Sequence, residues 1–165
     1  MPAAQALALT PGGGWDDVET LEELLIAHEG VRLMPYDDAT GKQIKKGQPL
    51  KGKVTIGIGR NLTDRGISQD EMAYLLASDI KIARDDAETF DYFEKLNDPR
   101  QAVIISMCFN LGLPRWRRFK RTHKAIRQED FETASVELLA SRWSVQVGDR
   151  SLHLAEMLRS GKWLK

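Results

Sequence analysis

Apolar residues recur at helical spacing along most of this chain, but from residue 31 to residue 58 the period shortens to strand-like runs. Before that break, Val18, Leu21, Leu24, Leu25 and His28 share one helical face, with Asp16 or Asp17 placed to cap the start and Gly30 to stop the end. The run Val31-Arg32-Leu33-Met34-Pro35-Tyr36 reads as an edge strand, because Pro35 is tolerated only at an edge or a bulge. Asp37-Asp38-Ala39-Thr40-Gly41 is turn chemistry, and residues 42–53, with five lysines and two glycines, read as an exposed hairpin arm leading into a strand from Val54 to Ile58. Ser68-Gln69-Asp70-Glu71 is a capping box. It opens a long helix with Met72, Leu75, Leu76, Ile80 and Ala83 at helical spacing, running to about Ala87.

The remainder is helical in pattern. Pro99 suits a first turn ahead of the apolar run 102–111, and further helical segments follow over 115–127, 130–140 and 149–159. The fold class is therefore α+β, with a small sheet early and helices late. The expected organisation is a flexible tail over 1–14 and one domain over 15–165, made of a mixed lobe (15–67), a connecting helix (68–90) and a helical lobe (91–165).

Composition narrows the function classes. At 165 residues, 42% hydrophobic and 29% charged, the chain is an ordinary soluble domain with zero formal net charge, so attraction to an anionic partner must come from a local patch. The lone Cys108, between Met107 and Phe109, excludes an intrachain disulfide framework and a multi-cysteine metal site and reads as core filling. His28, His123 and His153 have no metal-ligand spacing, so neither a metal nor a cofactor is expected. Gly57-Ile58-Gly59 has too few glycines for a nucleotide loop. The first fourteen residues lack the basic start of a signal peptide and are too short to span a membrane.

The candidate chemistry lies around the break in period. Glu29 falls at the end of the first helix, where exposed carbonyls favour the protonated form that a general acid needs, and Val31 and Leu33 would add burial. Asp38 in the following turn is a second carboxylate, with Asp37 its only competitor, and Thr55 on the next strand offers a hydroxyl to hold water. Two carboxylates and a positioned water are what cleavage of a glycosidic bond requires: an acid for the leaving oxygen, a base or counter-charge for the sugar carbon.

Taken in order, Glu29-Gly30, Tyr36-x-Asp38, Thr55-Ile56-Gly57-Ile58-Gly59, Arg100-x-Ala102, Phe109-Asn110-x-Gly112, Ser141-Arg142-Trp143 and Gly161-x-Trp163 resemble the lysozyme family of the T-even phages and related tailed-phage endolysins. The resemblance spans about Leu21 to Trp163. It implies a lysozyme-like two-lobe fold, a small antiparallel sheet lobe and a larger helical lobe joined by a long helix. The implied activity is that of a muramidase hydrolysing the β-1,4 bond between N-acetylmuramic acid and N-acetylglucosamine in peptidoglycan, causing lysis of the host cell. By the same resemblance Glu29 is the general acid, Asp38 the second carboxylate and Thr55 the water-positioning hydroxyl. Phe109 and Thr122 match substrate-binding positions, and Arg150 matches an arginine that supports the cleft. The tyrosine-x-aspartate register selects Asp38 over Asp37.

The chain also departs from the family pattern. Arg60 and Asn61 follow Gly59 where histidine and an apolar residue are common, Glu137 replaces a sugar-binding amide, and residues 42–53 lengthen the sheet arm. The segment from Arg115 to Arg127 holds seven Lys or Arg and no acid, which suits contact with an anionic surface as well as a solvated helical face with Trp116 and Phe119 turned inward. The expected partners are peptidoglycan glycan strands and a holin for release from the host cytoplasm to the periplasmic wall, with no specific nucleic acid and a monomeric state. Two other functions fit fewer of these residues: a lytic transglycosylase, which needs neither a second carboxylate nor a held water, and a non-catalytic wall-binding or anionic-surface module.

Overall fold

The structure, a computed structural model, describes residues 20–164. The expected tail over 1–14 and the expected cap at Asp16 or Asp17 fall outside the described residues. Within them, nine α-helices and four short strands form an α+β fold. The chain divides between Ser68 and Gln69 into two compact units.

In the first unit, α1 (Leu21–Glu29) starts not at an aspartate but at Thr20. Thr20 adopts extended backbone, its hydroxyl accepts from Glu23 N at 3.1 Å, and the Glu23 carboxylate accepts from Thr20 N at 3.0 Å. This reciprocal box satisfies two otherwise unpaired donors of the first turn. Gly30 ends the helix at φ +70°, a conformation that favours glycine, and its N–H donates to Ile26 O at 2.9 Å.

β1 (Arg32–Asp37), β2 (Lys42–Gln43), β3 (Val54–Gly57) and β4 (Arg60–Asn61) make an antiparallel sheet in the order β2-β1-β3-β4. The expected edge strand β1 is therefore internal. Pro35 is accommodated because β2 pairs only as far as Tyr36↔Gln43, and the register against β3 shifts between Arg32 and Tyr36. A missing N–H costs no ladder bond at such an irregularity, and the Pro35 carbonyl still accepts from Ile44 N at 3.0 Å. The arm of residues 42–53 is mostly irregular, with a turn at residues 46–47 and only Lys42–Gln43 in strand. A single turn of helix, α2 (Leu62–Arg65), closes the unit with Asn61 as its cap.

The second unit is helical. It comprises α3 (Gln69–Glu88), α4 (Asp98–Leu111), α5 (Leu113–Trp116), α6 (Lys120–Arg127), α7 (Phe131–Leu139), α8 (Arg142–Val147) and α9 (Asp149–Ser160). The expected helical segment 115–127 is interrupted after Trp116, and Trp116 and Phe119 pack together at that break with ring centroids 4.9 Å apart. α8 was not expected from periodicity; Ser141 caps it by accepting from Ser144 N at 3.2 Å.

Among the described residues the buried apolar cluster lies in this unit, and Trp116, Phe93, Ile104, Met107, Ile126, Leu138 and Leu158 are essentially inaccessible. Burial of each such side chain contributes about 1.5–3 kcal/mol. Cys108 is part of this cluster, and burial pushes its thiol up to about 12, so it acts as packing.

One polar group sits inside the cluster with both ring nitrogens paired. His123 Nε2 lies 2.9 Å from the Trp116 carbonyl and Nδ1 lies 2.7 Å from the Tyr92 hydroxyl, while Phe90 stacks on the ring at 4.8 Å. A carbonyl only accepts, so the proton is on Nε2 and the Tyr92 hydroxyl donates to Nδ1. Burial holds His123 below its usual range and raises the Tyr92 phenol well above its own.

Several of the ordered sequence matches are structural staples of this unit. Trp143 Nε1 donates to Asn110 Oδ1 at 2.7 Å. Arg100 donates from Nε to Leu158 O at 2.9 Å and from Nη2 to Arg159 O at 3.0 Å, beside the Asn97 Nδ2 to Gly161 O bond at 2.9 Å. Arg100 thereby satisfies terminal carbonyls of α9 that have no helical partner, and its guanidinium lies 3.5 Å from the Phe131 ring centroid.

Candidate active site

Glu29, Asp38 and Thr55 all belong to the first unit. Glu29 is the last residue of α1, placed there by the Gly30 stop. It is solvent-exposed, and Val31 and Leu33 are 38% and 82% exposed, so the apolar burial expected around this carboxyl is absent. The side chain lies against the turn between β3 and β4. In that turn Ile56 faces Arg60, leaving Gly57, Ile58 and Gly59 to reverse the chain, with Gly57 and Gly59 both at positive φ. A Cβ on Gly59 would stand 3.1 Å from Glu29 Oε2. The glycine thus serves both the turn and the approach of the acid.

Asp37 and Asp38 are neighbours with opposite fates. Asp37 is buried, and its carboxylate accepts from Lys51 N at 2.7 Å, Ala39 N at 3.0 Å and Gly52 N at 3.1 Å. The Lys51 bond is the main reason its carboxyl lies below the usual range, with Ala39, Gly52 and Thr40 amides acting the same way against the effect of burial. Asp37 is consumed in folding the base of the arm. Asp38 is exposed, with Oδ1 accepting a single bond from Lys53 N at 2.6 Å while its own N–H donates to Lys53 O at 3.1 Å.

Thr55 pairs with Tyr36 on β1 and Asn61 on β4 and is 4% exposed. Its hydroxyl has no hydrogen-bond partner among the described residues. The ladder joins it to Asp38: Tyr36 faces Thr55, and two residues further on Asp38 bonds Lys53. One short antiparallel pair therefore fixes both groups.

The other expected site residues lie in the helical unit. Phe109 is 47% exposed and borders a hollow of about 360 Å³ with Asp79, Ile82, Ala83, Asp86, Cys108 and Gly112. Thr122 is 2% exposed, inside the cluster on α6. Arg150, on α9, is exposed, donates from Nη2 to Ser106 Oγ at 3.4 Å, and has no ion pair among the described residues.

Sequence reasoning missed Gly52. A Cβ there would lie 2.1 Å from Asp38 Oδ1 and 2.7 Å from both the Ala39 N and Cβ atoms, so only glycine lets the arm return alongside Asp38. Nothing local in the sequence signals this, since the constraint comes from a residue fourteen positions earlier. No group of three or more His, Cys, Asp or Glu side chains among the described residues is arranged to hold a metal.

Two exposed carboxylates, Glu29 and Asp38, and the buried Thr55 thus lie on one small sheet unit of a mixed α+β chain. The chain belongs to the phage lysozyme family, whose model matches residues 26–158. Two similar relatives, both from Dictyostelium discoideum, are Probable T4-type lysozyme 2, 24% identical over 163 residues, and Probable T4-type lysozyme 1, 23% identical over 174 residues. Each alignment covers 87% of this chain and 96% of the relative.

Proposed function

We propose that this protein is a muramidase that hydrolyses the β-1,4 bond between N-acetylmuramic acid and N-acetylglucosamine in bacterial peptidoglycan. The observation that carries this reading is the division of labour at the turn after β1: Asp37 is spent on three backbone amides, and Asp38 is left exposed in the same unit as Glu29 and the Thr55 hydroxyl.

Glu29 donates its proton to the glycosidic oxygen as that oxygen's bond to the anomeric carbon breaks. Asp38 opposes the positive charge that develops on that carbon. Thr55 holds the water whose oxygen forms the new bond, and one of the water protons passes to a carboxylate. Phe109, exposed beside its hollow, offers a face to sugar. Host-cell lysis and delivery to the wall through a holin are proposed on the family likeness alone. Contact of residues 115–127 with an anionic surface rests on the seven cations of the segment; the hollow of about 420 Å³ on the helical unit adds Arg117 and Lys120, while Arg127 at its border is paired with Asp91 at 2.8 Å.

The test is digestion of purified peptidoglycan by the wild type, Glu29→Gln and Asp38→Asn, with products read by mass spectrometry. Reducing muramic acid ends from the wild type and a loss of about 10²–10⁴-fold in each variant are expected. Anhydromuramic ends would make the chain a lytic transglycosylase, and undiminished lysis by both variants would leave a binding module.

A further inference from the structure

The chain as a whole carries no net charge, yet residues 30–61 hold seven Lys or Arg against two acids, Asp37 and Asp38. Four of these cations, Lys42, Lys45, Lys46 and Lys51, are exposed and have no ion pair or side-chain hydrogen bond among the described residues. Lys53 differs, pairing with Asp64 at 2.9 Å.

The arm that carries the four is tied to the candidate site at its base. Asp37 holds the amides of Lys51 and Gly52, and the next amide, that of Lys53, donates to Asp38. At its other end β2 pairs Lys42 with Asp37 and Gln43 with Tyr36. Both ends of a cationic loop are thereby fixed to the strand that leads into Asp38.

A polysaccharide of N-acetylglucosamine is neutral and offers such a loop no charge to pair with. Peptidoglycan is not neutral, because the lactyl group of each muramic acid carries a peptide stem with free carboxylates. Resting on the muramidase reading above, we propose that the lysine arm recognises the stem-peptide carboxylates and makes stem-bearing glycan the preferred substrate. Exposed ammonium groups keep their hydration and their freedom, so each stem contact is weak and the selection comes from several together.

The test compares Lys45→Gln/Lys46→Gln/Lys51→Gln with the wild type on stem-bearing peptidoglycan and on the same glycan freed of stems by an amidase, with the lactyl carboxylates so liberated then capped as neutral amides. A factor of about two per exposed pair predicts a KM increase of about eightfold on the stem-bearing substrate with kcat retained, and no change on the stem-free one. The Lys→Arg triple at the same positions restores the KM. A charge-matched triple on the helical unit outside residues 115–127, Arg84→Gln/Lys95→Gln/Lys162→Gln, leaves the preference intact. Equal losses on both substrates, no loss on either, or the same loss from the helical-unit triple overturns the proposal. Co-sedimentation of Glu29→Gln proteins with stem-bearing and stem-free peptidoglycan gives a second readout without turnover. If the wild type cleaves neither substrate the muramidase reading fails, and sedimentation still decides the arm: equal pelleting with and without its lysines refutes it.

Discussion

Gly52→Ala should disable the protein while leaving it folded. The backbone at Gly52 is not left-handed, so alanine can adopt it and the whole effect is steric. The new methyl would sit 2.1 Å from Asp38 Oδ1 and 2.7 Å from the Ala39 N atom. Non-bonded carbon contacts settle near 3.5 Å, so a displacement of roughly 1 Å is required, and the backbone atom of Ala39 cannot rotate aside. The Asp38 carboxylate moves instead, giving up its bond to Lys53 N. Overpacking of this kind costs about 1–3 kcal/mol, within the stability of a small domain. Misplacing a reacting group by about 1 Å costs on the order of 10²-fold in rate. Turbidity clearance of purified peptidoglycan, with thermal unfolding of the same samples, reads both quantities. Gly47→Ala is the control: its φ of +80° strains the residue, but nothing lies within 4 Å of its Cβ position, so it should lose stability and keep activity. A Gly52→Ala protein within about threefold of wild-type rate, beside an inactive Asp38→Asn, would refute the placement of Asp38 at the chemistry.

Three further outcomes follow from the same geometry. Asp37→Asn should lower the unfolding midpoint at neutral pH and flatten its acid limb: a carboxyl held below 3.8 stabilises the fold above that pH and loses its contribution as pH falls through the lower folded value, which thermal melts across pH will show. His123 titrates the other way in charge but with the same slope. Its folded form resists protonation while the unfolded chain takes up a proton near 6.5, so stability should fall as pH drops below 6.5 toward the folded value, and His123→Gln should remove that component from denaturant melts at matched pH. Arg100→Ala should cost about 2–4 kcal/mol in urea unfolding, by leaving the Leu158 and Arg159 carbonyls and the Phe131 ring without their cation, and Arg100→Lys should recover only part because an ammonium cannot reproduce the fork.

The helical unit was legible because its burial repeats at helical spacing. Asn97 and Pro99 open α4, Asp130 caps α7, and buried Val103, Ile104, Met107 and Cys108 follow one face. What failed there was continuity. Residues 115–127 contain no glycine or proline to mark a break, yet the chain leaves the helix at Arg117, where Trp116 and Phe119 turn inward. α8 is short enough that its cap, Ser141, carries more signal than its periodicity. At the start of α1 both Asp16 and Thr20 have a glutamate three residues on, Glu19 and Glu23, so the box pattern alone does not single out Thr20. The sheet was harder, since strands of two to six residues have burial patterns too short to show alternation. Pro35 pointed to an edge or a bulge, and only the pairing partners of β1 decide between them.

The site shows the same limit more sharply. Asp37 and Asp38 are adjacent acids in one turn, and no local property distinguishes them: what separates them is the return of the chain at residues 51–53, whose amides reach Asp37 twice and Asp38 once. The pattern of a family can choose Asp38, but it does not say why Asp37 is unavailable. Three amide bonds to a buried carboxylate do, because moving that carboxylate toward a ligand would strip the arm of its anchor. The division also explains how a lengthened arm coexists with the candidate chemistry. The acid that fastens the arm and the acid that faces the solvent are different residues, so residues 42–53 can vary in length and charge as long as residues 51–53 return to the same two carboxylates, with glycine at 52.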